Sequence, residues 1–349
     1  MTTSEREILG LSTSELSALC RELGYPEYRG RQIAHWVYRA SVRDFDSMTN
    51  LPRELRGRLS EAAVLTRSRV LGESRSDDGT TKLLLGMADK ETIECVLLPY
   101  PDRVSVCVST QVGCPAGCVF CATAQGGLVR NLTAGEIVDQ VLTLNEIVRP
   151  HRRVTHVVFM GMGEPLLNYE NVIKALRLLH DELGISMRRM TVSTVGITPA
   201  IRNLCKLRLQ LTLAVSLHAP YEDLRRKLIP ISARYPLSDL ISACRDYADH
   251  TKRRVTFEYL LLSGVNDSHK HAEALAALLK GVLCHVNLIP YNRVLGKSFS
   301  RPSGREVAAF RSVLEQAGIQ VTQRLERGHA VSAACGQLRR QRSAGCPPG

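Results

Sequence analysis

The sequence has few aromatic residues and no long hydrophobic run. Phe, Trp and Tyr make up 5% of the 349 residues, and only one residue is Trp. No window approaches 18 uninterrupted apolar residues, and the N-terminus MTTSEREILG lacks the apolar region of a signal peptide. We therefore expect a cytosolic protein that does not enter the membrane, and cysteines that are reduced in that compartment.

Acidic residues are outnumbered by basic ones. The chain has 46 Lys and Arg against 34 Asp and Glu, which gives a formal net charge of +12. An excess of positive charge favours a polyanionic partner, and nucleic acid is the usual one. The alternative is a basic protein without such a partner, and charge alone does not separate the two.

Residues 1–65 are predicted to form an N-terminal helical accessory domain. Ser12 and Glu15 have the spacing of a capping box, and three segments with helical periodicity follow. The second segment, RGRQIAHWVYRA, mixes basic and aromatic residues in a way that suits contact with an RNA backbone and stacking of bases. A small helical domain with a solvated basic face is the alternative. The residues concerned are Arg29, Arg31, Arg39, Arg43, Tyr28, Trp36 and Tyr38.

The rest of the chain is predicted to contain a β-hairpin connector over 66–103 and a catalytic α/β domain over 104–340. Asp78-Gly79 indicates a two-residue hairpin turn, and the tail 341–349 is expected to be disordered. Six strands, each followed by a helix, indicate a parallel sheet, which is either an incomplete barrel or an open doubly wound sheet. Both folds place their chemistry at the carboxyl ends of the strands. The predicted strands are VSVCVST, THVVFMG, MTVSTVG, LTLAVSLH, VTFEYLLL and HVNLIPY.

Three cysteines lie within eight positions in QVGCPAGCVFCATAQGG. Cys114, Cys118 and Cys121 follow the first strand of the predicted α/β domain. A four-iron cluster needs four ligands, so three thiolates would leave one iron open to an outside ligand. A structural zinc site is the alternative, but zinc needs a fourth Cys or His, and the nearest downstream histidine is His151.

The Cys-x3-Cys-x2-Cys spacing after a first barrel strand resembles that of radical S-adenosylmethionine enzymes. The resemblance implies an incomplete (β/α)6 barrel and one [4Fe–4S] cluster with three cysteine ligands. It also implies that the open iron binds S-adenosylmethionine, which an electron from the cluster cleaves to a 5′-deoxyadenosyl radical. In such enzymes the protein binds and orients the cofactor and excludes side reactions.

A glycine pair follows the next strand, in THVVFMGMGEPLLN. Leu166 stands where a dinucleotide fingerprint would have its third glycine, so that motif is excluded. Exposed backbone at Gly161 and Gly163, followed by Glu164, instead suits a ligand with an ammonium group, and it resembles the superfamily motif that receives the methionine amino group. The alternative is a tight turn with a surface glutamate.

Further candidate cofactor contacts lie where later strands end. Ser193 ends MTVSTVG, and Ser216, Leu217 and His218 end LAVSLHAP. Hydroxyl and imidazole groups at strand ends can hold a ribose or a carboxylate, although a lone histidine is more often structural. Asn292 ends NLIPYN, where it could contact adenine or ribose.

Longer stretches resemble the RlmN-type adenine carbon-2 methyltransferases. They include CVSTQVGCPAGCVFCATAQGGLVRNLTAGEIVDQV, GMGEPLLNYENV, LAVSLHAP, HVNLIPYN and AACGQL. The resemblance implies methylation of 23S rRNA and tRNA, a flavodoxin-type or similar electron donor, and a monomer. A Cfr-type sibling that methylates carbon 8 of the same adenine is the alternative within the class. A non-enzymatic RNA-binding protein with a structural metal is the alternative outside it.

The same resemblance assigns three further residues. It makes Cys335 the methyl carrier, Cys107 the resolving thiol and Glu94 the acceptor of the ring proton. In the implied cycle, one S-adenosylmethionine methylates Cys335 and a second gives the radical that activates this methyl group. Cys107 then forms a disulfide with Cys335 and so releases the RNA. On local sequence alone, Glu94 would be an exposed strand residue.

Overall fold

The sheet that organises the molecule is longer than the β/α pattern predicts. The computed structural model describes residues 6–292 and 296–324. The strands of this part are β1 (Arg6–Glu7), β2 (Ala63–Val64), β3 (Arg69–Arg75), β4 (Thr81–Gly86), β5 (Thr92–Pro99), β6 (Val104–Cys107), β7 (Gln111–Gly113), β8 (Leu128–Asn131), β9 (His156–Phe159), β10 (Met190–Thr194), β11 (Thr212–Ser216), β12 (Val255–Leu261), β13 (Cys284–Pro290) and β14 (Val321–Gln323).

Ten of these strands form one mixed sheet, in the order β14-β13-β12-β11-β10-β9-β6-β5-β4-β3. Within this sheet β6, β9, β10, β11, β12, β13 and β14 are parallel, whereas β3, β4 and β5 are antiparallel to their neighbours. The α/β prediction is confirmed, and all six predicted strands are present. The short edge strand β14 was not predicted. In the described ranges, β14 and β3 are not paired with each other, so no closed barrel is formed, and the incomplete barrel stays a prediction.

Helices cover the parallel strands because their apolar faces repeat with helical periodicity. In α5, for example, Val172, Leu176 and Leu179 are fully buried. All six predicted helices of the α/β domain are present, and a seventh, α7, was not predicted. The helices are α1 (Thr13–Glu22), α2 (Tyr28–Ala34), α3 (Arg53–Ala62), α4 (Ala134–Val148), α5 (Tyr169–Asp181), α6 (Thr198–Lys206), α7 (Glu222–Leu228), α8 (Leu237–Thr251), α9 (His269–Leu278) and α10 (Gly304–Gln316). None of the described helices is long and apolar enough to span a bilayer.

The connector over 66–103 is part of the main sheet, because β5 pairs with β6 over four residues. Its hairpin is present, but the predicted two-residue turn is wrong. Strands β3 and β4 are joined by residues 76–80, in which the N–H of Ser76 donates to the carbonyl of Thr80. The hydroxyl of Ser76 and the N–H of Thr80 both donate to the carboxylate of Asp78. These polar contacts close a loop that is longer than a two-residue turn.

The N-terminal helices pack one of their aromatic residues inward. Tyr38 is 1% exposed, and its hydroxyl donates to the carbonyl of Leu11 and accepts from the N–H of Gly10. Stacking of Tyr38 on a nucleobase is therefore excluded, which corrects the expectation for this residue. Tyr28 is 44% exposed, and the guanidinium of Arg29 lies 4.8 Å from its ring centre, so this pair remains available for RNA.

Candidate active site

A cavity of about 300 Å³ opens at the carboxyl ends of the parallel strands. This volume lies at the lower end of the range for small-ligand sites. All three cysteines of the predicted cluster site line it, together with most of the predicted cofactor contacts. The predicted residues in its wall are Cys114, Cys118, Cys121, Gly163, Glu164, Ser193, Ser216, His218 and Asn292. The structure thus brings nine predicted residues from separate parts of the chain to one place.

The three cysteines lie on the loop between β7 and β8. The N–H of Cys114 donates to the carbonyl of Gly127, and the N–H of Cys121 donates to the carbonyl of Cys118. Burial raises the pKa of Cys114 to about 12 and also raises the pKa of Cys118, to which the neighbouring thiols add. Buried thiols of this kind become thiolates when a metal centre replaces their protons. The donor set therefore fits a cluster held by three cysteines.

The zinc alternative gains no support from the geometry. His151, which the sequence offered as the nearest downstream histidine, is not among the residues of the cavity wall.

Gly161 and Gly163 allow the loop after β9 to lie against the chain that leaves β6. A Cβ atom at Gly161 would be 2.7 Å from the carbonyl oxygen of Val108. Gly163 has a φ of +107°, and a Cβ atom there would be 2.7 Å from the Cβ of Gln111. The close approach of this loop to the chain that leaves β6 therefore requires glycine at both positions.

We expect Gly163→Ala to destabilise the protein by about 2–4 kcal/mol, because strain at this φ adds to the overlap with Gln111. Gly264→Ala is the matched control, since Gly264 has a φ of +70° but nothing within 4 Å of the new Cβ. The control should cost about 1–2 kcal/mol, the strain of a left-handed residue. Denaturant unfolding of both variants measures the difference, and equal costs would contradict the proposed close packing.

Glu164 is buried, which excludes the surface-glutamate alternative. It is 2% exposed, and its two carboxylate oxygens accept hydrogen bonds from the backbone N–H groups of Leu166 and Val195, at 3.0 and 2.7 Å. Burial raises the pKa of Glu164 to about 7, against the opposing effect of the Val195 and Leu166 N–H groups. The carboxylate thus joins the end of β9 to the end of β10. Contact with a cofactor amine stays a prediction.

His218 is a fixed, neutral imidazole. Its Nδ1 accepts a hydrogen bond from the N–H of Leu260 at 3.0 Å, so the ring proton is on Nε2. Burial lowers the pKa of His218 to about 3, and the charge of Arg225 adds to this effect. The ring also meets Phe120 edge to face, with centroids 5.0 Å apart. His218 can therefore donate a hydrogen bond into the cavity but cannot act as an acid or base near neutral pH.

Leu217, unlike Ser216 and His218, does not face the cavity. Its side chain is fully buried in the core, and Leu217 does not line the cavity. Its N–H donates to the carbonyl of Glu258. Cofactor binding by Leu217 stays a prediction, and the burial of its side chain in the core does not favour it.

Glu94 is 3% exposed, so it is not the surface residue that its local sequence suggested. Cys107 lies opposite Val96 across β5 and β6, and Lys82 lies opposite Val96 across β4 and β5. Glu94 is two residues before Val96, so Lys82, Glu94 and Cys107 share one face of the sheet. The Nζ of Lys82 lies 3.9 Å from Oε1 of Glu94, with both side chains buried.

Cys107 interacts with two residues that line the cavity, Met160 and Arg324. Burial raises the pKa of Cys107 to about 11, against the effect of the Arg324 charge and of a hydrogen bond with the backbone of Met160, while Glu94 adds to the rise. Met160 and Arg324 line the cavity. Cys335, predicted as its partner, lies outside the described residues. The nine described cysteines form no disulfide with one another.

A hydroxyl that was not among the predicted site residues connects these elements. The Ser109 hydroxyl donates to the carbonyl of Glu94 at 2.6 Å and accepts from the N–H of Met162 at 2.8 Å. Ser109 is fully buried and thereby joins the strand of Glu94 to the glycine loop. Its position on the polar face of VSVCVST was the available signal. Lys82, Arg225, Glu258 and Arg324 were missed as well.

Comparisons with known proteins agree with this site. Residues 108–276 match the family model of the radical SAM superfamily, and residues 6–65 match the ribosomal RNA large subunit methyltransferase N-terminal domain. A protein of Gloeobacter violaceus named probable dual-specificity RNA methyltransferase RlmN is 50% identical over 97% of this chain and 96% of its own. A relative of the same name from Desulfitobacterium hafniense is 49% identical over 95% of each chain.

A solved structure is similar over nearly the whole molecule. The radical SAM methyltransferase of Sphaerobacter thermophilus superposes with a TM-score of 0.92 and 49% identity, covering 95% of this chain and 98% of its own. The chain therefore belongs to the RlmN family of the radical S-adenosylmethionine superfamily.

Proposed function

We propose that this chain methylates carbon 2 of an adenine in 23S rRNA, and of the adenine next to the anticodon in tRNA, by radical chemistry through a methylated cysteine. The observation that carries the proposal is the single cavity that joins Cys114, Cys118 and Cys121 to the glycine loop and the strand ends. The proposal is also supported by relatives named probable dual-specificity RNA methyltransferases, with which the chain shares about half of its residues.

The cavity residues divide the work of binding. Cys114, Cys118 and Cys121 would hold one [4Fe–4S] cluster, which supplies the electron that splits S-adenosylmethionine. The backbone of Gly161 to Gly163 offers polar groups to the methionine end of the cofactor. The Nε2–H of the His218 imidazole offers a hydrogen-bond donor. Ser193, Ser216 and Asn292 line the same wall and supply hydrogen-bonding groups for its ribose and base.

The face that carries Glu94 and Cys107 supplies the remaining chemistry. Cys335 carries the methyl group, whose carbon becomes bonded to the adenine ring. The Cys107 sulfur then attacks the Cys335 sulfur, which breaks the carbon–sulfur bond and leaves a disulfide. The electron pair of the broken bond stays with the carbon, which takes up the proton that the Cys107 thiol gives up and so becomes the new methyl group. Glu94 accepts the ring proton. Each methylation consumes two S-adenosylmethionine molecules, and an external reductant, such as a flavodoxin-type protein, regenerates the thiols.

RNA is the partner that the N-terminal segment suits best. Tyr28 is exposed there, with the guanidinium of Arg29 4.8 Å from its ring centre, and the net charge of +12 favours a polyanion. A monomer in the cytoplasm completes the proposal.

Anaerobic reconstitution tests the proposed function. The protein with bound cluster, S-adenosylmethionine, a chemical reductant and either 23S rRNA or tRNA should yield 2-methyladenosine, identified by mass spectrometry of the digested RNA. Production of 8-methyladenosine would assign the Cfr-type activity instead. A colourless protein that binds RNA without cleaving S-adenosylmethionine would support the non-enzymatic alternative.

We expect Glu94→Gln to lower the rate of methylation by about 10²–10⁴-fold, the usual contribution of a general base. Glutamine keeps the size of the buried side chain but accepts no proton. Glu91→Gln is the control, because Glu91 is only partly buried and lies in the loop that precedes β5. Single-turnover assays of both variants measure the effect. A wild-type rate for Glu94→Gln with full cluster content would remove Glu94 from the mechanism.

A further inference from the structure

A buried arginine contacts two residues of the cavity wall, and two of its three guanidinium nitrogens have no hydrogen-bond acceptor among the described residues. Arg225, in α7, is 0% exposed and is the largest fully buried side chain described. Its Nη2 donates to the carbonyls of Val195 and Ser216, at 2.5 and 3.3 Å. Its Nε and Nη1 have no hydrogen-bond partner among the described residues. An ionised group buried in this way is costly, so its retention calls for a source of negative charge nearby.

The acidic residue one helical turn before Arg225 has other partners. Glu222 lies one helical turn before Arg225, but its carboxylate accepts from Arg226 Nε and from the N–H of Leu237. No carboxylate of the described ranges forms an ion pair with Arg225. Burial lowers the pKa of Arg225 to about 10, which still leaves the guanidinium charged at neutral pH.

The cluster loop packs directly on the segment that carries Arg225. The N–H of Val119 donates to the carbonyl of Leu228, and the N–H of Ile231 donates to the carbonyl of Ala116. Cys114 and Cys118 belong to the same buried apolar cluster as Leu228.

We propose that Arg225 is a positioning residue whose buried positive charge raises the reduction potential of the cluster held by Cys114, Cys118 and Cys121. The inference rests on the proposed function, because it requires a cluster on these thiolates. One-electron reduction adds a negative charge to the cluster, and a fixed cation in a region of low dielectric constant favours that state. Arg225 thus makes the cluster easier to reduce, so that a mild cellular reductant can supply the electron.

Two variants separate the charge from the hydrogen bonds. Arg225→Gln keeps N–H donors for the carbonyls of Val195 and Ser216 but removes the charge, and Arg225→Lys keeps both. Arg226→Gln is the matched control, because Arg226 is the next residue of α7, has a 47% exposed side chain and pairs with Glu222. Each protein is reconstituted with iron and sulfide, analysed for iron content, and titrated with reductant while the cluster is followed by absorbance and electron paramagnetic resonance.

In Arg225→Gln the equilibrium constant for reduction of the cluster should be at least tenfold lower than in the wild type. For one electron this is a shift of the reduction potential by about 59 mV to a more negative value. Arg225→Lys should stay within about threefold of the wild type, and Arg226→Gln should be unchanged. Loss of the cluster from Arg225→Gln but not from Arg225→Lys would overturn the proposal, because the charge would then be needed to hold the cluster rather than to set its potential. An unchanged potential in loaded Arg225→Gln, or loss of the cluster from both variants, would overturn it.

The titration contains no RNA, so its outcome is distinct from that of the proposed function. A wild-type protein that assembles the cluster but does not methylate RNA would refute the proposed function and leave the role of Arg225 in place. A wild-type protein that assembles no cluster would refute the proposed function itself.

Discussion

A Cys118→Ala variant is expected to purify without its cluster and to lose RNA methylation completely. Cys118 is 8% exposed and lies between the other two cysteines of the loop, and its backbone carbonyl accepts from the N–H of Cys121. Two remaining thiolates leave a second corner of a four-iron cluster without a protein ligand, so the cluster dissociates. Without the radical, no other group in the cavity can activate a methyl group, and the rate should fall to background.

Cys20→Ala is the matched control for this variant. Cys20 is fully buried in α1 and is not part of the cavity wall. Its replacement removes a buried thiol of the same size and should leave iron content and methylation near those of the wild type. Iron and sulfide analysis, with assays of S-adenosylmethionine cleavage, compare the two. A Cys118→Ala protein with full iron and normal cleavage would contradict the assignment of this cysteine to the cluster.

Cys107→Ala is expected to stop after a single encounter with RNA, with protein and RNA covalently linked. The variant keeps the methyl carrier Cys335 and the cluster cysteines, so the bond between carrier and adenine can still form. It lacks only the sulfur that breaks this bond. Less than one methylated product per chain should be released, and a denaturing gel should show an RNA–protein adduct.

Cys95→Ala provides the comparison for this arrested state. Cys95 is the residue after Glu94 in β5, is 1% exposed and points to the opposite face of the sheet. This variant should turn over and leave no adduct, because its thiol packs in the core. Free, methylated RNA released at the wild-type rate by Cys107→Ala would refute the role of Cys107 as the resolving thiol.

The repeated strand and helix pattern could be read from the sequence because periodicity is local. The same holds for the cluster loop and the glycine loop, which follow strands directly. The α7 helix was missed because EDLRRKL has only two apolar residues, Leu224 and Leu228, and its largest buried residue, Arg225, is charged. The three-residue strand β14 is too short for a pattern to indicate.

Long-range pairing could not be predicted for a different reason. The hairpin of 66–103 was visible, but its attachment to β6 depends on contacts that no local pattern encodes. Side-chain direction was equally hidden. Glu164 uses both oxygens on backbone N–H groups, and Tyr38 points into the core, because neighbouring elements offer partners that the sequence alone does not reveal.

The register of β5 on β6 sets the distance between Glu94, the proposed proton acceptor, and Cys107, the proposed resolving thiol. Successive residues of an antiparallel strand are about 3.4 Å apart, so a two-residue slip would shift Glu94 by about 7 Å along the sheet relative to Cys107. A one-residue slip would turn its carboxylate to the other side. Chain length between the two strands can therefore vary in the connecting loop around Asp102, whereas a single deletion inside either strand would disconnect the two functional groups.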